Sequence, residues 1–212
     1  RRGCLGSVLR WIVDDAQEAA KSRSGANLGT ALHRILERID SGEDLDVPDS
    51  WKPDVDAYCQ ALVDAHIKIL PEYMERVVVV PKAKIAGTLD RLVAIDGATY
   101  VADIKTAQDV VTYGMGEIAI QLAIYANASL MWRQSVNDVK RDRWGRYSLP
   151  SPDGAPDEFE PMPDVNKDRA LVIHLPAGQG ECHLHWVDIR AGAEAVKTAL
   201  WVREWRKRRG LS

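Results

Sequence analysis

The stretch KIAGTLDRLVAIDGATYVADIKT, residues 84–106, contains two runs of apolar and β-branched residues on either side of the dipeptide Asp96-Gly97. Asp-Gly between two such runs is a strong signal for a β-hairpin with a two-residue turn. With this dipeptide as the loop, counting back along both arms places Asp90 opposite Asp103. The sequence therefore predicts a hairpin whose register brings two carboxylates together.

These two aspartates are expected to repel each other, because directly opposed side chains have Cβ atoms about 4.5–5.5 Å apart. The period of two places Lys105 on the same face as Asp103, while Ile104 points the other way. A divalent cation between the carboxylates would turn the repulsion into coordination, and oxygen ligands beside an ammonium group suit Mg²⁺ or Mn²⁺ better than zinc. The alternative is an ordinary solvated hairpin face with surface acids.

Composition bounds the class of protein. The 212 residues are enough for one domain with a substantial core, and 46% hydrophobic with 28% charged residues is ordinary for a soluble protein. We expect a cytoplasmic protein, because no apolar run reaches membrane-spanning length and the N-terminus lacks a signal-peptide pattern. A chain that begins Arg1-Arg2 is expected to be trimmed or a piece of a longer protein. The net charge of −3 leaves nucleic-acid contacts to local patches.

The cysteines argue against two common kinds of site. Cys4, Cys59 and Cys182 are far apart and form no CxxC pair, which disfavours a disulfide framework and a four-cysteine iron–sulfur or zinc site. Cys182 also stands beside His183 and His185. Alternation along a strand places the two histidines on one face and the cysteine on the other, so a zinc site built from these three is not expected.

Periodicity predicts the remaining elements. Helices are expected over residues 5–22, 28–40, 54–70, 117–133 and 192–209, and strands over 72–81, 169–175 and 181–189. The valine-rich strand 72–81 should be buried and pair with the hairpin. Glu75 at its entrance is either a further acidic member of the site or an exposed strand-end residue.

Two of these helices carry candidate site residues. His33 lies at the edge of an apolar stripe on helix 28–40, capped by Asn27, and one turn beyond Gly29, where another group can approach closely. A histidine in such a position is more often a packing residue than a ligand. Gln121 and Tyr125 are four residues apart and share a helix face. They either reach toward the carboxylates or form a polar and aromatic pair at a packed rim.

Residues 134–168 are expected to form a loop or partly ordered insert in a single domain, 1–212. Its first part mixes basic and aromatic residues, a composition that suits single-stranded nucleic acid as well as a merely soluble loop. The candidate DNA-binding residues are Lys140, Arg141, Arg143, Trp144, Arg146 and, outside the loop, Tyr125.

Four short motifs occur in a fixed order: Gly29 to His33, Gly87 to Asp90, Asp103 to Lys105, and Gln121 to Tyr125. On their predicted elements they resemble the GxxxH, GxxD, D/E-x-K and QxxxY motifs of the PD-(D/E)XK nuclease superfamily, in its RecB-like and Cas4-like exonuclease branch. The resemblance spans about residues 28–130. It implies an α/β (α+β) fold with a restriction-endonuclease-like core, in which a mixed central β-sheet is flanked by helices.

The resemblance also implies roles for individual residues. His33, Asp90, Asp103 and the backbone carbonyl of Ile104 would bind one or two Mg²⁺ or Mn²⁺ ions. Asp90, Asp103, Lys105, Gln121 and Tyr125 would form the catalytic set, in which Lys105 orients or deprotonates the attacking water while Gln121 and Tyr125 hold Lys105 or the scissile strand. Whether Lys105 is a base or a phosphate clamp stays open. Many Cas4-like proteins carry a four-cysteine iron–sulfur cluster, and no such cluster is expected here.

The implied function is a metal-dependent DNA nuclease, an exonuclease acting in recombination, repair or phage DNA metabolism in a bacterial or phage-infected cell. DNA is the implied partner and no membrane is expected, while a homo-oligomer or a helicase or recombinase partner stays open. Two alternatives remain. One is a catalytically silent module that binds DNA ends or a partner protein on the same fold. The other is sequence-specific restriction or junction cleavage by the same chemistry.

Overall fold

The computed structural model describes residues 28–133 and 158–211. The predicted helix 5–22, the Asn27 cap and the basic residues of the loop therefore lie outside the described part. The helices are α1 (28–40), α2 (Lys52–Asp64), α3 (Val110–Tyr113), α4 (Met115–Ala126) and α5 (Arg190–Arg208). The strands are β1 (Lys68–Leu70), β2 (Arg76–Val80), β3 (Ile85–Leu89), β4 (Arg91–Ile95), β5 (Ala98–Lys105), β6 (Leu130–Arg133), β7 (Glu158–Pro161), β8 (Arg169–His174) and β9 (His183–Asp188).

The strands form two sheets. The central sheet has the order β1-β4-β5-β8-β9, with β5 and β8 parallel and the other neighbours antiparallel. The second sheet is antiparallel, in the order β3-β2-β6-β7. The predicted fold class, a mixed α/β protein whose mixed central sheet is flanked by helices, is confirmed, whereas the specific nuclease core stays a prediction.

The hairpin has the predicted register. Ile95 pairs with Ala98 and Arg91 with Ala102, so that Asp90 and Asp103 would be the next pair along the ladder. Asp96 and Gly97 have φ angles of 50° and 80°, the positive values that a type I′ turn requires. The first arm is not continuous, however. It breaks at Asp90, which lies between β3 and β4, and β3 belongs to the second sheet.

Two apolar clusters lie on the two faces of the central sheet. Leu32 and Leu36 of α1 and Tyr58 of α2 pack with Ile104 on one face. Leu122 of α4 packs with the other face, and the second sheet shares this cluster through strands β2 and β6. Val101 belongs to the α4 side, so the period of two places Asp103 and Lys105 on that side as well.

Two predicted helix ends are wrong. The helix expected over 54–70 ends at Asp64; His66 then adopts a φ of 51°, and residues Lys68–Leu70 pair with β4 as strand β1. The helix expected over 117–133 ends at Ala126, and Leu130–Arg133 form β6 beside β2. In both cases a short apolar run fits either period, and pairing with a distant strand decides its conformation.

Three other expectations are refined. The strand expected over 72–81 is shortened to β2, and it pairs with β3, the extension of the first hairpin arm, and with β6. Within the expected loop or insert 134–168, residues Glu158–Pro161 form β7. Across the described residues, no helix has the length and apolar character needed to cross a membrane.

Helices α4 and α5 cross at Gly192, which leads to a first prediction. A Cβ atom at Gly192 would lie 2.2 Å from the carbonyl oxygen of Ala119. This backbone cannot yield as a flexible side chain can, so Gly192→Ala is expected to lower the free energy of unfolding by about 1–3 kcal/mol. Gly116→Ala is the matched control, because a Cβ there meets no atom within 4 Å and alanine favours the helix by about 1 kcal/mol. Thermal unfolding followed by circular dichroism should shift in opposite directions, and a shared direction would contradict the close crossing.

Candidate metal centre

Asp90 stands at the break between β3 and β4, beside the end of β5. Its Oδ2 atom accepts a hydrogen bond from the backbone N–H of Ile104 at 2.9 Å. Its backbone carbonyl accepts another from the N–H of Glu75, also at 2.9 Å. These bonds tie Asp90 to β5 and to the residue that precedes β2. The carboxylate is therefore held where its charge acts on Asp103, as the hairpin register predicts.

Asp103 is a buried acid with too few partners. The residue is 1% exposed, and the Lys105 ammonium lies 2.7 Å from Oδ2, an ion-pair distance. Among the described residues, neither carboxylate oxygen accepts a hydrogen bond of good geometry. Burial, and then the charge of Asp90, raises the pKa of Asp103 to about 6, although Lys105 opposes the shift. A buried carboxylate left in this state is the kind of group that a hard cation would satisfy.

His33 and Glu75 lie with Asp90 in one group of candidate metal ligands, called here the acidic group. One ligand atom from each of His33, Glu75 and Asp90 lies within 4.8 Å of the others, and His33 Nδ1 is 3.9 Å from Asp90 Oδ2. Burial lowers the pKa of His33 despite the charge of Asp90 and a hydrogen bond with the Ile104 backbone. The imidazole is therefore favoured in the neutral form that binds metals.

Glu75 is both an exposed residue near the start of a strand and a member of the acidic group, the two alternatives that the sequence left open. Its side chain is exposed, yet its carboxylate belongs to the group with His33 and Asp90. Loss of solvent around the carboxylate, followed by the charges of Asp90 and Glu37, raises its pKa to about 7. Its φ of 49° is uncommon for a residue other than glycine, and the bond to the Asp90 carbonyl maintains it. Backbone strain of this kind is frequent at functional sites.

The donor set fits a hard divalent ion. The carboxylates of Glu75 and Asp90 lie with the imidazole of His33, a set that suits Mg²⁺ and, because of the nitrogen, Mn²⁺. Asp103 is not in this group, but it is close enough to Asp90 for the two charges to repel. The Ile104 backbone is also at the site, since it contacts both Asp90 and His33. An ion here would neutralise the mutual repulsion of the acids. This repulsion contributes to the raised pKa values of Asp103 and Glu75.

The two motif glycines allow close packing around this centre. A Cβ at Gly29 would lie 2.5 Å from Thr106 Oγ1, so α1 sits directly against the end of β5. A Cβ at Gly87 would lie 2.7 Å from Cε1 of Tyr125, so that ring rests against β3. Gln121 donates a hydrogen bond to the Tyr125 hydroxyl at 2.9 Å. Within residues 28–133 and 158–211, no hydrogen bond joins this pair to Lys105, and its role toward Lys105 stays a prediction.

A buried network behind the centre was not anticipated from the sequence. Arg91, which is 1% exposed, forms an ion pair with Asp40 and donates a hydrogen bond to the Tyr58 hydroxyl at 2.6 Å. That hydroxyl donates to Asp40 at 2.8 Å. The network ties α1, which carries His33, to the strand that follows Asp90. The signal for it in the sequence is an arginine at the start of the apolar run Arg91–Ile95.

The remaining predicted site residues, Lys140, Arg141, Arg143, Trp144 and Arg146, lie outside the described part of the chain. The class that fold and site define is thus a mixed α/β protein with an acidic candidate metal centre at the end of a central strand. No protein-family model matches this chain, and no curated protein matches it with significant similarity.

Proposed function

We propose that the chain is a Mg²⁺- or Mn²⁺-dependent deoxyribonuclease, an exonuclease that hydrolyses phosphodiester bonds in DNA recombination, repair or phage DNA metabolism. The observation that carries the proposal is the grouping of His33, Glu75 and Asp90 around one point. The ion pair of Asp103 and Lys105 lies beside this group at the end of β5. Acids without a cation repel each other, and an adjacent lysine adds the group that a phosphate requires. DNA is proposed as the substrate because the order of the four motifs resembles that of the PD-(D/E)XK nucleases.

The roles of the side chains follow from their charges. A bound divalent ion supplies a water of lowered pKa and positive charge for the phosphate in the transition state. His33, Glu75, Asp90 and Asp103 would hold that ion. Lys105 lies on the same face as Asp103, 2.7 Å from it, and would contact a phosphate oxygen or the attacking water. Tyr125 and Gln121, on α4 across this face, would support the scissile strand.

Cleavage of end-labelled DNA tests the proposal. Single- and double-stranded substrates, labelled at either end, are incubated with Mg²⁺, Mn²⁺ or EDTA. We expect metal-dependent, progressive shortening from one end and a rate roughly 10²–10³-fold lower for Lys105→Ala. Lys68→Ala is the matched control, because Lys68 is an exposed lysine at the far edge of the same sheet. Its rate should equal that of the wild type.

The other outcomes are equally informative. Wild-type protein that cleaves neither substrate, nor branched DNA, with either ion would overturn the proposal. If that protein still bound DNA, a binding module on the same fold would take its place. A fixed band pattern on plasmid DNA would instead indicate sequence-specific or junction cleavage.

A further inference from the structure

Three histidines form a cluster on the central sheet, next to the candidate metal centre. In the parallel pair of β5 and β8, Lys105 is the partner of His174; in the pair of β8 and β9, His174 is the partner of His183, and Val172 of His185. Paired residues point to the same face of a sheet. The three imidazoles therefore share the face of Lys105, and their ring centres are 6.0–6.4 Å apart.

The hydrogen bonds of these rings leave nitrogen lone pairs available. His174 Nε2 lies 3.0 Å from the carbonyl oxygen of Ala107, which can only accept, so Nε2 donates this hydrogen bond and Nδ1 is the nitrogen left to face a ligand. His183 Nε2 lies 3.2 Å from a carboxylate oxygen of Glu181, so it donates in the same way and leaves Nδ1 to face a ligand. Metal-binding histidines typically donate their second N–H to a carbonyl or carboxylate in this way.

His185 supplies the strongest indication of a ligand. Its Nε2 atom is buried and has no hydrogen-bond partner among the described residues. Burial, together with the neighbouring His174 and His183, lowers its pKa and favours the neutral ring. An unpartnered buried nitrogen calls for an explanation, and a bound ion is one of the few available.

One ion can be shared only after the rings move, because among the described residues the ligand atoms of the acidic group lie within 4.8 Å of one another and those of the three histidines do not. With bonds of about 2.0 Å, three imidazoles around a tetrahedral ion have ring centres about 5 Å apart. The rings must therefore close by about 1 Å, which His183 can do because half of its side chain, 51%, is exposed. The backbone beneath them is firmly held, since the buried carboxylate of Asp54 accepts hydrogen bonds from Gly178 and Gly180, both at 2.7 Å, in the β8–β9 loop.

We propose that His174, His183 and His185 form a second metal site, for a nitrogen-preferring transition ion of the Zn²⁺ class, separate from the oxygen-rich centre at Asp90. Imidazoles select such ions over Mg²⁺. Three protein ligands leave a fourth position for water. The sequence argued against zinc at Cys182, and that residue packs on the opposite face. The missing ligand comes from His174, on the neighbouring strand. This proposal does not depend on nuclease activity.

Titration of the full chain with Zn²⁺ by calorimetry, and with Co²⁺ by visible absorption, tests the site. His33 and His66 are the only other histidines, so His33→Ala and His66→Ala are matched controls. We expect one Zn²⁺ bound by the wild type and by both controls, and a tetrahedral Co²⁺ spectrum. Affinity should fall at least 10-fold in His174→Ala, His183→Ala and His185→Ala.

His183→Ala keeps the test decisive even if a buried variant fails to fold, because that side chain is half exposed. Absence of Zn²⁺ binding by the wild type would overturn the proposal. Binding that survives in His183→Ala, or that is lost in His33→Ala, would overturn it too, since the ion would then occupy the acidic centre.

Discussion

Asp103→Asn is expected to abolish DNA cleavage while making the metal-free protein more stable above neutral pH. Asparagine keeps the shape of the side chain but removes the charge that, in the proposed mechanism, would help to bind the ion. A bound ion contributes several kcal/mol to the stabilisation of the transition state, and the loss of about 4 kcal/mol slows a reaction about 10³-fold. We therefore expect the rate to fall by about that factor or more, measured on end-labelled DNA with Mn²⁺.

The gain in stability follows from the pKa of Asp103. It is raised from 3.8 to about 6 by burial and by Asp90, so the folded state binds the proton more tightly than the unfolded state. The contribution of this carboxyl group to stability is therefore full at low pH and is lost as pH rises from about 4 to about 6. Two pKa units correspond to at most about 3 kcal/mol. Asparagine does not titrate and avoids this loss.

The measurement is thermal unfolding in EDTA between pH 4 and pH 8. Asp103→Asn should melt several degrees above the wild type at pH 8, since 1 kcal/mol shifts the midpoint by about 2–4 °C in a chain of this size. The difference should shrink toward pH 4. Asp56→Asn, on the exposed side of α2, should follow the wild type. Mn²⁺ should raise the midpoint of the wild type but not that of Asp103→Asn. Equal midpoints at pH 8 in EDTA would contradict the raised pKa.

The hairpin could be predicted because its information is local. Asp96 and Gly97 fix the turn, and one turn fixes every pair from Arg91 to Ala102. The strand Leu130–Arg133 could not be predicted, because its partner β2 lies about 50 residues earlier and its apolar run also fits a helix. The same holds for Lys68–Leu70, which pairs with β4. Local signals determined the elements, and distant pairing determined where two helices end.

The candidate centre divides in the same way. Asp90, Asp103 and Lys105 follow from the hairpin register, and His33 was proposed from its motif. Glu75 stayed ambiguous, because one glutamate at a strand end carries no periodic signal. The third histidine of the cluster and the partners of Arg91 depend on contacts between distant segments. In this chain, candidate site residues that face each other across the local hairpin are therefore more visible in the sequence than those that distant segments bring together.

Asp40→Ala is expected to lower the free energy of unfolding by about 3–5 kcal/mol, because it leaves the guanidinium of Arg91 buried without its counter-charge. The midpoint of thermal unfolding should fall by about 10 °C. Arg38→Ala is the matched control: its pair with Glu43 is exposed and should contribute less than about 1 kcal/mol. Urea unfolding at neutral pH, in EDTA, measures the free energy of unfolding of both variants.

A double variant separates the loss of charge pairing from the loss of packing. Burial raises the pKa of Asp40 despite Arg91, so desolvation offsets much of the attraction within the pair. Asp40→Ala with Arg91→Met should therefore recover much of the stability that Asp40→Ala loses, since a neutral side chain fills the site.

If Asp40→Ala lowers the free energy of unfolding no more than Arg38→Ala does, another acid must neutralise Arg91. The candidate is Asp90, whose charge already acts on Arg91. If Asp90 pairs with Arg91 in this way, Asp40→Ala should also weaken Mn²⁺ binding. Such a result would link the buried network to the candidate metal centre.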